Sequence, residues 1–154
     1  MAAKGSCVSN ILRRGDIIAL KWTLTGDGNG DADENGSADV EWFLGPVYGE
    51  VVGVEIEYTD ASNGYDLYIK DHMGIDILKG QGVGLANDAA DAGNRFCPTN
   101  KSQDIGTATN AQGSPIILWN ETLEAIGDDM GNGLISAITV FVRLFPRHDM
   151  HAVH

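Results

Sequence analysis

The densest set of potential ligand side chains lies between Gly26 and Asp39, in the run Gly-Asp-Gly-Asn-Gly-Asp-Ala-Asp-Glu-Asn-Gly-Ser-Ala-Asp. Asp31, Asp33, Asn35 and Asp39 fall at positions one, three, five and nine of a calcium-binding loop, and Gly36 falls at position six, where the backbone must turn sharply. Oxygen donors at this spacing suit a hard divalent cation, so the expectation is a structural calcium, with no other cofactor. Two features count against it. Position twelve is Trp42 rather than a bidentate glutamate, with Glu41 one place early, and no helical pattern flanks the loop. The competing reading is a solvated excursion whose Asp and Asn residues satisfy turn geometry.

His148, His151 and His154 recur at a spacing of three, which on a helix would align imidazoles for a metal, but Pro146 makes such a helix fragile. His72 sits in an Asp-His-Met-Gly turn and reads as a turn residue. Nucleophilic chemistry finds no support. There is no Gly-x-Ser-x-Gly, no histidine within a core strand to act as a base, and no phosphate-binding glycine fingerprint opening a helix. Acid pairs such as Glu55 with Glu57, or Asp128 with Asp129, read as outward-facing strand or turn residues. The expectation is a protein that is not an enzyme.

The elements that must carry these residues are strands. Ile17 to Thr25 alternates Ile18, Leu20, Trp22 and Leu24 with Ala19, Lys21, Thr23 and Thr25, the period-two pattern of a strand with one buried face. From Val47 to Leu78 the chain alternates again at Val52, Val54, Ile56 and Tyr58, turns through Asp-Ala-Ser-Asn-Gly, and resumes at Tyr65, Leu67 and Ile69, which predicts a β-meander. In that second run the alternation aims Tyr68 outward, whereas Trp22 and Trp119 are expected in the core. The alanines over Gly84 to Ala92 suit a short helix. Pro115 to Trp119 reads as a further strand, and Glu121 to Ile126 as a second strand or a single helical turn. Leu134 to Phe145 is apolar on both faces, which predicts a central strand. The expected fold is all-β, an antiparallel β-sandwich, jelly-roll-like or a simpler meander. Residues 17–146 form this domain, between an extended N-terminal arm at 1–16 and a C-terminal tail at 147–154.

The chain has 154 residues and a net charge of −12. So acidic a surface repels phosphate backbones, so no direct nucleic-acid partner is expected. No stretch approaches the ~20 apolar residues of a membrane span, and no membrane association is expected. Cys7 and Cys97 are too few and too far apart for a disulfide framework and are expected as free thiols. Met1 to Gly15 carries Lys4, Arg13 and Arg14 without an acid, a basic end suited to an acidic neighbour. With Tyr68 and Arg147, these cations are the candidate partner-binding residues.

Three segments together resemble small virion structural proteins of tailed bacteriophages. They are a strand running into Thr-Gly-Asp-Gly-Asn-Gly, then Pro-Val-Tyr-Gly-Glu-Val-Val-Gly-Val-Glu-Ile-Glu-Tyr, then Gly-Tyr-Asp-Leu-Tyr-Ile-Lys-Asp-His-Met-Gly-Ile-Asp-Ile-Leu. The resemblance covers about Ile17 to Leu78 and the strand at Ile138 to Arg143, and this chain departs from it in the longer acidic insertion after Gly30 and in the tail after Pro146. It implies a head-decoration (cement) protein on the capsid surface, made in a host bacterial cytoplasm. Its partners would be the major capsid protein and copies of itself, by analogy as a homotrimer. A head-to-tail or tail component is the alternative within that class, and a calcium-dependent carbohydrate-binding β-sandwich is the alternative outside it.

Overall fold

The computed structural model describes residues 4–34, 40–57, 61–85, 94–100 and 114–146. Strands β1 (Ser6–Arg14) and β2 (Ile17–Thr25) form a hairpin through Gly15-Asp16. Gly15 has φ +60°, the sign that a two-residue II′ turn requires at its first central position. A 3₁₀ turn at Val40–Trp42 leads into β3 (Phe43–Glu57), the longest strand. There follow β4 (Asp66–Lys70), three short strands β5 (Asn94–Phe96), β6 (Thr99–Asn100) and β7 (Ser114–Pro115), and the long pair β8 (Ile117–Asp128) and β9 (Ile135–Leu144).

The main sheet runs β1-β2-β9-β3-β8-β4, with β5 added along the C-terminal part of β3, and β6 pairs with β7 separately. All pairings are antiparallel. Alternate residues of each strand enter one core: Leu20, Trp22 and Leu24 from β2, Val54 and Ile56 from β3, Leu67 and Ile69 from β4, Leu123 and Ala125 from β8, and Ile138, Val140 and Val142 from β9. The sheet bends around this core, so that β2 approaches β8 without pairing with it. Across the open side the segment after β2 acts as a stitch. Ala32 exchanges backbone hydrogen bonds with Gly127 at 2.9 and 2.8 Å, and Asp33 exchanges them with Lys4 at 3.0 and 2.8 Å. The result is an all-β, sandwich-like body built around one main antiparallel sheet. Among the described residues no helix is long and apolar enough to cross a membrane.

Two organisational expectations change. The arm expected at 1–16 is largely strand β1, paired with β2 from Ser6↔Thr25 to Arg14↔Ile17. It lacks a period-two signature because only Cys7 of its nine residues is buried. The meander expected over Val47 to Leu78 is interleaved instead, with β8 inserted between β3 and β4. Of the main-sheet strands, only β1 and β2 are both consecutive and adjacent; the rest pair with segments remote in the chain, which local patterning does not reveal. β9 lies between β2 and β3, as its two apolar faces predict. The expected tail at 147–154 and most of the expected helix lie outside the described residues.

Candidate functional site

The four calcium candidates do not form one cage among the described residues. Asp31 lies beside Asp128, and Lys4 Nζ reaches its Oδ2 at 3.6 Å. Asp33, two residues on, groups instead with Glu34 and Glu124, their carboxylate oxygens within 4.8 Å of one another. Asn35 and Asp39 lie outside the described residues. A second trio, Asp66, Asp128 and Asp129, shares the same spacing at the far end of the β4-β8 ladder, where Asp66 pairs directly with Asp128. The Gly26–Gly30 turn is built differently, since the Asp27 carboxylate accepts the N–H groups of Asn29 and Asp31 at 2.8 and 3.0 Å.

This outer face of β8 is therefore a ladder of like charges with a defined proton balance. The hydrogen bond that protonated Asp31 donates to the neighbouring Asp128 carboxylate, followed by desolvation, raises the Asp31 pKa, while Lys4 opposes the shift. Burial raises the pKa of Glu124, helped by Glu34 and Asp33. Backbone N–H donors lower the pKa of Asp27. For Asp31 and Glu124 the folded chain holds protons to higher pH than the unfolded chain does. Their contribution to stability is thus largest below the ordinary carboxylate range and declines as pH rises through the raised folded values; Asp27 acts in the opposite sense. Asp128→Asn keeps the acceptor for Asp129 N–H, removes the repulsion and leaves the Lys4–Asp31 pair intact. It is expected to raise the melting temperature at pH 7 by on the order of 1–3 °C, a gain that disappears on acidification. Thermal melts from pH 3 to pH 8 measure it.

Two of the candidate cations have partners within the chain. Lys4 is held by Asp31 and Asp33. Arg13 Nε donates to Gly15 O at 3.1 Å, and Arg14 is exposed near the tip of the β1-β2 hairpin. Arg147 lies outside the described residues. Tyr68 is on the outer face of β4 as expected, but half-buried, with Lys70 Nζ 5.8 Å from its ring centre. Burial, then Asp66 and Asp128, raises its pKa.

The feature that the residue patterns did not anticipate is an aromatic row across β8, β3 and the end of β9. Trp22 is fully buried as expected, but Trp119 is 60% exposed. Its ring meets Tyr48 edge-on at 5.4 Å between centroids and Phe145 at 6.3 Å. The cause is a phase slip in β8 at Asn120, whose φ is +55°. Leu118 faces the core before it and Glu121, Leu123 and Ala125 face the core after it, which leaves Trp119 outside. The odd separation of Leu118 from Leu123 is the sequence signal of this slip. Beside the row opens a cleft of about 700 Å³, walled by Tyr48, Phe145, Pro46, Leu144, Ile18 and Arg13. Arg143 bridges Glu50 at 3.2 Å on the same sheet region.

The slip also carries Glu121 into the core-facing phase, where it is 8% exposed. Its carboxylate accepts the backbone N–H of His72 at 3.2 Å and engages His72 Nδ1, so the turn residue His72 serves as the partner of a buried acid. This pair ties the 71–75 turn to β8. No family model matches the chain, and no curated protein or solved structure does either.

Proposed function

We propose that this chain is a virion structural protein of a tailed bacteriophage, a head-decoration protein that clamps neighbouring major capsid subunits from outside. The observation that carries this reading is the aromatic row. A tryptophan 60% exposed, held edge-on by Tyr48 and set beside a cleft of mixed apolar and charged lining, has the composition of an interface hot spot waiting for a partner. The likeness of the Ile17 to Leu78 region to small phage virion proteins supplies the kind of partner. The acidic outer face of β8, on another part of the sheet, would keep the free protein soluble before assembly.

The reading is tested by adding the purified chain to shells that lack it. Saturable binding in proportion to the capsid subunits, with a gain in the thermal stability of the shell, is expected. Binding of only a few copies at one vertex would favour the head-to-tail or tail component instead.

A second reading rests on the same row, because an exposed Trp beside Tyr and next to the Glu50–Arg143 pair also suits stacking against a sugar ring. It would make the chain a carbohydrate-binding module, with calcium held at the acidic ladder. Calorimetry with calcium followed by a glycan panel decides it, and the absence of heat from both would remove it.

A further inference from the structure

We propose that β1 is a self-pairing edge: two copies of the chain join β1 to β1 antiparallel about a two-fold axis at Leu12, making one sheet across both.

Hydrogen-bond parity along β1 defines the edge. The two-residue turn makes Arg14↔Ile17 an exchanging pair, so the even residues of β1 bond to β2 and the odd residues direct their N–H and C=O groups away from it. Ser9 confirms the parity, since its N–H donates to the Glu41 carboxylate at 3.0 Å, on the side away from β2. Glu41 also accepts from the Ser9 hydroxyl and thus caps the edge at this point. Beyond the cap, the outward backbone groups of Ile11 and Arg13 meet no partner among the described residues. The flanking side chains are apolar on both faces: Val8 and Leu12 are 68% and 64% exposed on one, and Ile11 is exposed on the other. An edge whose outward backbone groups at Ile11 and Arg13 are open among the described residues, flanked by the exposed Val8, Ile11 and Leu12, is a template for another strand.

The occupant follows from the other edge of the sheet. β4 is closed by its own chain, with Ile77 N–H donating to Ile69 O at 2.8 Å and Leu67 N–H donating to Gly82 O at 2.7 Å. The remaining edge strand in the main sheet, β5, is three residues long. A head-to-tail ring through sheet edges thus lacks a matching second edge, whereas β1 can meet another β1 in an isologous contact. With Ser9 taken by Glu41, the symmetric arrangement that uses both Ile11 and Arg13 places Leu12 opposite Leu12 of the second copy. It places Ile11 opposite Arg13. Charge is complementary in this register, because Arg13 of one copy comes within side-chain reach of Glu41 of the other. The pairing rests on β1 and Glu41 and not on the aromatic row.

The contact is short, so a Kd on the order of 10–100 µM is expected. Sedimentation of the full chain at rising concentration should show a monomer–dimer equilibrium. Leu12→Lys should weaken it by at least about tenfold with an unchanged far-UV CD spectrum. In a Cys97→Ser background, Leu12→Cys should form a disulfide-linked dimer under oxidised glutathione much faster than Val8→Cys, since only residue 12 faces itself. A monomer at every concentration, a trimer whose mass Leu12→Lys leaves unchanged, or equal cross-linking of the two cysteine variants would overturn the proposal.

Discussion

Trp22→Ala is expected to lower the stability of the fold by about 3–5 kcal/mol, most of what a domain of this size has to lose. Trp22 is fully buried near the middle of β2, a strand that pairs with both β1 and β9. Its indole N–H donates to the carbonyl of Trp42 at 3.2 Å, so truncation leaves a cavity and a carbonyl that has lost its donor. The same bond fastens the 3₁₀ turn that leads into β3. Urea unfolding at 25 °C should show a lower midpoint, or a chain already unfolded in buffer. A loss below about 1 kcal/mol would mean that the core does not close around Trp22 as described.

Trp119→Ala should do the reverse. Its ring is mostly in solvent, and its intramolecular contacts are the edge-on Tyr48 and the tilted Phe145. Stability should fall by less than about 1 kcal/mol, the scale of one aromatic pair. Association with capsid subunits should weaken by about 30-fold or more, as expected for a hot-spot tryptophan worth 2 kcal/mol or above. Binding to shells and urea unfolding of one preparation give both numbers. Unchanged shell binding would detach the aromatic row from the proposed function.

What the sequence disclosed follows the physics of burial. The bounds of β2 come directly from its alternation, because one face meets the core along nearly its whole length. The central place of β9 follows from its two apolar faces. β1 was hidden because an edge strand with both faces exposed near the hairpin tip has no period to read, although Gly15-Asp16 between two β-compatible runs is a hairpin turn in retrospect. The order β3-β8-β4 was hidden for another reason: β8 begins 60 residues beyond the end of β3, and no local pattern names its partner.

The candidate surface was half legible. The acids at 31 and 33 were visible as potential ligands, but the stitch from Ala32 to Gly127 turns them toward Asp128 and Glu124 rather than around one ion. Trp119 is expected in the core because aromatics in strands usually pack there, yet it lies 60% exposed. The residue at positive φ, Asn120, sets the segments before and after it in opposite phase, so that Trp119 is outside next to the buried Leu118 while Glu121 faces inward with Leu123 and Ala125.

The central claim is that this chain is a stoichiometric part of a virion. Reconstitution followed by quantitative mass spectrometry of purified capsid particles, calibrated on the major capsid protein, tests that proposal most directly. A fixed ratio of this chain to the capsid subunit is expected, with the protein accessible on the intact shell. Particles that lack the chain, or hold only a handful of copies, would contradict it.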